Sequence, residues 1–310
     1  MQKKKFRFLG PLICLLTAII WGSGFPFQDI VGRDTANIDN FSFNGIRFLI
    51  GGIVLIPVIL IFEREKSLPK EEKKPKLRRT LIFGVISGAL LSLSAILQQA
   101  GIQLTGESGK AGFITGFYLI ILPVAMLIIF KQKPSIFVWI AIPISLVGLY
   151  FLSVTSDFKI ELGDLLVLIC AFGFSAQMIF VDRVGARVST LKFSCMQFFS
   201  AGLICMTLGL IFGNLTWQGI TNNILPILYC GVMSAGAAYT LQNIGQKYTP
   251  PAVASLIFAL EGLFATVFEC IFEKSLPSGR IIIGCVLMLI AVLLSQIPKK
   301  RKKGAIAFIK

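Results

Sequence analysis

The chain has 310 residues, of which 55% are hydrophobic and only 15% charged, with a mean hydropathy of +0.82 and a formal charge of +15. Charges bunched between long apolar runs exclude an ordinary soluble domain. The absence of histidine excludes His-dependent metal sites and Ser–His catalytic pairs.

A bilayer core about 30 Å thick needs about 20 apolar residues per helix. In chain order, ten stretches meet or approach that length: Leu9–Ile30, Phe41–Phe62, Leu77–Ile102, Ser108–Phe130, Ile136–Val154, Leu162–Val181, Leu191–Phe212, Ile224–Gln246, Ala252–Phe272 and Gly279–Ile297. The first follows a Lys-rich start, as in a signal peptide. It is long for that role and no small-x-small cleavage site follows, so a retained helix is expected. The longest polar insert, residues 63–80, is Lys/Glu-rich, contains Pro69 and Pro75, and is expected to be a cytoplasmic linker without a packed core. Residues 298–310 form a basic tail. The seven cysteines are scattered inside spans without paired spacing, which favours small-residue packing over a disulfide framework.

Cytoplasmic loops collect Lys and Arg. With the Lys3–Arg7 end inside and ten alternating spans, 24 of the 30 basic residues fall on the inner side. Arg33, Lys110, Lys159, Lys274 and Arg280 fall outside, and Arg47 lies within a span. This asymmetry predicts cytoplasmic termini and membrane lipids as partners. It argues against nucleic acid, which would require the charges on one folded surface.

The two halves repeat each other. Leu9–Gly32 aligned with Leu162–Gly185 gives nine identities, among them Gly10/Gly163, Ala18/Ala171, Asp29/Asp182 and Gly32/Gly185. Leu97–Thr105 against Leu241–Thr249 matches at Leu97/Leu241, Gln98/Gln242, Gly101/Gly245 and Thr105/Thr249. Five spans per repeat is an odd number, so the second copy enters the membrane from the opposite side. The expected fold is an all-α membrane protein of ten transmembrane helices, arranged as two inverted five-helix repeats over residues 9–154 and 162–297. Secondary transporters often have this architecture, with substrate bound where the copies meet.

Small residues allow close helix packing. Gly84-x-x-x-Gly88, Gly112-x-x-x-Gly116 and Ser234–Ala238 are such faces, and Pro57, Pro123 and Pro143 are candidate kinks. Polar groups at depth carry more functional information, because they are costly there. Glu261 lies near the middle of the ninth span. A carboxylate there serves a cationic substrate group, a coupling proton or, when protonated, an interhelical hydrogen bond. Arg47, about two turns inside the second span, has two readings, outward snorkelling or attraction of an anion, and snorkelling is favoured. Glu269 is read as interfacial. Gln98 and Gln242 occupy matching places, with Gln99 and Asn243 beside them. These amides suit either a ligand or helix–helix ties. Trp21, beside Gly22-Ser23-Gly24, joins Tyr118, Tyr239 and Gln177 as aromatic and polar groups at intermediate depth. The candidate substrate-binding set is therefore Trp21, Gln98, Tyr118, Gln177, Gln242 and Glu261, with Glu261 also a candidate for coupling. No catalytic residue, metal or cofactor is expected.

Three longer stretches carry a resemblance. They are Gly109-Lys110-Ala111-Gly112-Phe113-Ile114-Thr115-Gly116-Phe117-Tyr118, the run Ala238-Tyr239-Thr240-Leu241-Gln242-Asn243-Ile244-Gly245, and Ala254-Ser255-Leu256-Ile257-Phe258-Ala259-Leu260-Glu261. With Trp21-Gly22-Ser23, the chain resembles the EamA-like branch of the bacterial drug/metabolite transporter superfamily, from about Leu9 to Ile297. The resemblance implies two inverted five-helix domains around a central cavity. It also implies a plasma-membrane carrier, often an exporter of amino acids, metabolites or foreign compounds. Where the family reads Pro-Val-Phe after the ninth-span Glu, this chain has Gly262-Leu263-Phe264. An additional carboxylate, Glu269, stands near the outer mouth.

The resulting expectation is a secondary transporter that exports small organic solutes such as amino acids, in the bacterial inner membrane, monomeric or dimeric, working by alternating access. Multidrug or lipid-linked-metabolite export is the alternative cargo. An intramembrane enzyme lacks converging reactive groups, a channel lacks a visible filter, and a receptor or scaffold would bind solute without moving it.

Overall fold

Within a bilayer, backbone N–H and C=O groups must be satisfied internally, which leaves helices or closed barrels. The computed structural model describes residues 2–34, 36–63, 70–106, 108–153, 160–272 and 274–297, and all regular structure among them is helical. The first half contains α1 (Gln2–Arg33), α2 (Asn40–Phe62), α3 (Lys70–Thr105), α4 (Ser108–Thr115), α5 (Tyr118–Ile128) and α6 (Ile136–Ser153). The second contains α7 (Leu162–Val184), α8 (Thr190–Phe212), the short α9 (Trp217–Asn222), α10 (Ile224–Tyr229), α11 (Thr240–Gly245), α12 (Pro251–Phe258), α13 (Leu260–Phe272) and α14 (Gly279–Ser295). A π-helical segment, Cys230–Tyr239, joins α10 to α11.

Among the described residues, eight stretches are long and apolar enough to cross a membrane: Phe8–Arg33, Asn40–Phe62, Pro75–Thr105, Lys110–Ile128, Leu162–Arg187, Thr190–Phe212, Ile224–Gly245 and Pro251–Phe272. Two shorter apolar helices, Ile136–Leu152 and Gly279–Ser295, fall at the fifth and tenth expected spans. At 17 residues each is ~26 Å long, a little under the hydrocarbon thickness. Apolar side chains such as Leu60, Phe62, Ile128, Leu210 and Leu293 are exposed on the outside of the bundle. Such a surface suits lipid and would be an association hazard in water.

Part of the charged insert is helical, because α3 begins at Lys70 and runs through Pro75. Lys and Glu are good helix formers, and here they extend the apolar helix. Residues 64–69 of the insert and the basic tail 298–310 lie outside the described residues. The proline-bearing helices α2, α5 and α6 continue through Pro57, Pro123 and Pro143. The fourth and ninth spans instead break elsewhere, at Gly116–Phe117 and at Ala259. Both breaks adjoin a candidate site residue, Tyr118 in one case and Glu261 in the other.

Helix α2 packs on α8, α3 on α7 and α8, α6 on α14, and α1 on α13, α11 and the π segment. Elements of the two halves therefore alternate through the bundle. Loop contacts join them at both ends. Asp39 caps α2 through the N–H groups of Phe41 and Ser42, and its other oxygen accepts from the Asn214 N–H at 3.1 Å. At the opposite end the Glu63 carboxylate accepts from the Leu191 N–H at 3.0 Å, at the start of α8. Among the described residues, the most buried ion pair is Lys110 Nζ to Asp164 Oδ2 at 2.7 Å, joining α4 to α7. Asp164 also closes a capping box with Glu161 at the start of α7.

Candidate functional site

The helix breaks, the π segment and the close approach of α1 to α13 open a narrow cavity inside the bundle. A Cβ on Gly22 would lie 2.7 Å from the Glu261 carbonyl oxygen, so only glycine lets α1 sit this close to the turn that carries Glu261. The neighbouring Trp21 then faces Tyr239 (ring centroids 4.8 Å apart) and Phe258 (5.5 Å). All six residues singled out from the sequence line this one cavity, from α1, α3, α5, α7, α11 and α13. Its water-accessible space is about 30 Å³, room for a water or two rather than for an organic solute. A carrier using this cavity must widen it to load.

The polar groups are paired across helices. Tyr118 donates its hydroxyl hydrogen to Glu261 Oε1 at 2.9 Å, joining the two broken spans at their breaks. Glu261 is 6% exposed and, among the described residues, has no cation within ion-pair distance. Gln98 donates to the Thr115 hydroxyl at 3.1 Å. Gln242 donates to Gln177 Oε1 at 3.0 Å and to Gln246 Oε1 at 3.1 Å, while its own Oε1 is buried with no hydrogen-bond partner among the described residues. The Trp21 indole N–H is likewise buried and unpartnered. The residues beside the paired amides have different work. Gln99 donates to the Gln28 carbonyl and Asn243 to the Ser194 hydroxyl, at 3.2 and 2.8 Å, which ties helices together.

Arg47 corrects the expectation of snorkelling. It is 3% exposed and lines the cavity, with Nη1 donating to Gln28 Oε1 at 3.0 Å. The Phe43 and Phe48 rings hold the guanidinium carbon at 5.2 and 5.0 Å from their centroids. These cation–π contacts and the amide acceptor turn the side chain inward. Gln28 and Thr115 also line the cavity without having been named as candidates, and Ser234, expected only as part of a packing face, lines it as well. Gln28 and Ser234 lie on faces that a one-dimensional reading cannot orient, whereas Thr115 had a signal, its place one residue before Gly116. Several lining positions are equivalent under the internal alignment: Trp21 with Phe174, Phe25 with Met178, and Gln98 with Gln242.

Comparison with known proteins follows the same division of the chain. A sequence profile described as the EamA-like transporter family matches residues 8–154 and again residues 161–296. The chain belongs to the EamA-like transporter family. Two relatives bear the name uncharacterized transporter. One, from Archaeoglobus fulgidus, is 26% identical over 288 residues, covering 93% of this chain and 86% of that protein. The other, from Clostridium kluyveri, is 26% identical over 307 residues, covering 94% of each. A crystal structure of a protein 18% identical to this chain has the same fold, with a TM-score of 0.74 over 93% of this chain and 96% of the other. This EamA-family chain is thus a multi-pass membrane transporter.

Proposed function

We propose that this EamA-family protein is a secondary transporter that exports small polar organic solutes, amino acids or related metabolites, by alternating access. The observation that carries the proposal is the convergence of Trp21, Gln98, Tyr118, Gln177, Gln242 and Glu261 on one buried cavity to which both halves contribute. Amides, a phenol, an indole and a carboxylate suit a polar organic solute better than a bare ion or a purely apolar drug. In this reading Glu261 meets a cationic group of the solute or takes up a coupling proton, with Tyr118 orienting the carboxylate. The protein works as a monomer in the bacterial inner membrane, with both termini in the cytoplasm, as the distribution of basic residues favours.

The carrier reading rests on ten membrane helices in two inverted repeats, residues 9–154 and 162–297. Close contacts support it. A Cβ on Gly101 would crowd Val167, and one on Gly245 would crowd Cys14. Gly163 faces Thr105 in the same way that Gly10 faces Thr249. Each contact turns into its counterpart when the halves are exchanged under the internal sequence alignment, the behaviour expected of two copies related by a two-fold axis. The two helices that are shorter than a span, α6 and α14, pack on each other and are the fifth expected span of each half.

The test is uptake and counterflow of a pooled, isotope-labelled amino-acid and metabolite mixture in sealed proteoliposomes, with and without a pH gradient. The wild type is expected to move a subset of solutes, and Glu261→Gln to lose at least the gradient response. A folded, inserted protein that moves none of the mixture would overturn the amino-acid reading.

A further inference from the structure

Arg47 is the one cavity residue whose charge the proposed coupling and solute contacts leave unused. It is the eighth residue of α2, about 10 Å along the helix from its first residue. A guanidinium buried at that depth is costly unless something answers its charge. Gln28 supplies a neutral acceptor and the Phe43 and Phe48 rings supply their faces. Among the described residues no carboxylate lies within ion-pair distance of Arg47, and its Nε is buried without a hydrogen-bond partner. A second unsatisfied donor, the Trp21 indole N–H, lines the same cavity, and Tyr239 packs against both Trp21 and Phe48, at 4.8 and 6.2 Å between ring centroids.

We infer that Arg47, with Gln28 beside it and the Trp21 N–H as a further donor, forms an anion subsite that takes the carboxylate of the transported solute. The inference rests on the cavity being the solute site. A guanidinium offers a planar pair of donors that fits a carboxylate. The cavity holds one cationic and one anionic side chain, Arg47 and Glu261, which are not paired with each other. That arrangement fits a solute bearing a single carboxylate, and it disfavours a phosphate dianion, for which one guanidinium sharing the cavity with a carboxylate supplies too little positive charge. The subsite also accounts for a buried arginine that helix packing alone would replace with an apolar residue at lower cost.

The test measures ligand-induced thermal stabilisation of the purified, full-length protein in detergent. The probes are the twenty α-amino acids, their carboxamides, the matching acids without the amine, and inorganic phosphate, each with wild type, Arg47→Gln and Arg47→Lys. The expected result is that carboxylate-bearing members stabilise the wild type and their carboxamides do not. Arg47→Gln should weaken carboxylate binding roughly tenfold or more, the scale of one lost charge-assisted hydrogen bond, and Arg47→Lys should keep part of it. The baseline melting temperatures separate this effect from misfolding. Carboxamides binding as well as carboxylates, Arg47→Gln binding carboxylates like the wild type, binding of phosphate alone, or no carboxylate binding at all would each overturn the subsite. If carboxamides are still bound and that binding is lost in Gln98→Leu, the cavity remains the solute site and only the role of Arg47 fails.

Discussion

Two buried side chains separate solute contact from helix packing most cleanly. Gln98 donates to Thr115 at the cavity wall, whereas Asn243 donates to Ser194 between helices. Gln98→Leu is expected to weaken solute binding about tenfold, the scale of one hydrogen bond to a polar ligand, with little change in melting temperature. Asn243→Leu is expected to cost about 1 kcal/mol of stability and to leave solute affinity near that of the wild type. Equal effects on affinity from both would argue against the cavity as a binding site. Tyr118→Phe removes the single hydroxyl that holds Glu261 Oε1, so transport should fall while the protein remains folded, as size-exclusion chromatography would report. At this scale repeat position at Gln98 and Gln242, and depth at Glu261, pointed to residues that line one cavity. The sequence misjudged Arg47, because the direction of a long side chain depends on the Phe43 and Phe48 rings and on Gln28 from another helix.

Helix packing around the cavity depends on a few positions where a side chain has no room. Gly22 is one: its Cβ would lie 2.7 Å from the Glu261 carbonyl oxygen and 2.8 Å from the Ala265 nitrogen, both rigid backbone of α13. Gly22→Ala should therefore destabilise by about 1–3 kcal/mol, read as a lower melting temperature in detergent. Gly112 is a control, because its Cβ would meet only Phe25, at 3.8 Å. Gly112→Ala should be neutral or slightly stabilising through helix propensity. Loss of stability in both would mean that small residues act here through something other than close approach. The Lys110–Asp164 pair works between elements, α4 and α7, with side chains 10% and 6% exposed. Asp164→Ala should cost about 1–3 kcal/mol, because it removes a buried ion pair and the carboxylate that accepts from the Glu161 N–H at the start of α7. The apolar helices themselves were legible from hydropathy alone. Their interruptions were not, since prolines Pro57, Pro123 and Pro143 pass through continuous helix while Gly116–Phe117 and Ala259 break theirs. Tertiary contact decides which weak point yields, and here the yielding points flank the Tyr118–Glu261 hydrogen bond.

For the molecule as a whole, the internal repeat was the strongest sequence signal, and it pairs contacts that hydropathy could not. Gly101 with Val167 and Gly245 with Cys14 occupy exchanged positions in the two halves, so the cavity between them is built from both copies. In the proposed inverted arrangement of the copies, one fixed site is exposed to either side by rocking the halves. The cavity offers about 30 Å³ of water-accessible space, so the proposed carrier has to widen it before an organic solute fits. The most direct measurement of this claim is labelling of a single cysteine placed at Gln98, in a chain whose seven native cysteines are replaced, with a membrane-impermeant thiol reagent in oriented vesicles. The account predicts labelling from either face, in proportions that shift in opposite directions when a transported solute is added to one side. Labelling from one face only, whatever the solute, would contradict it.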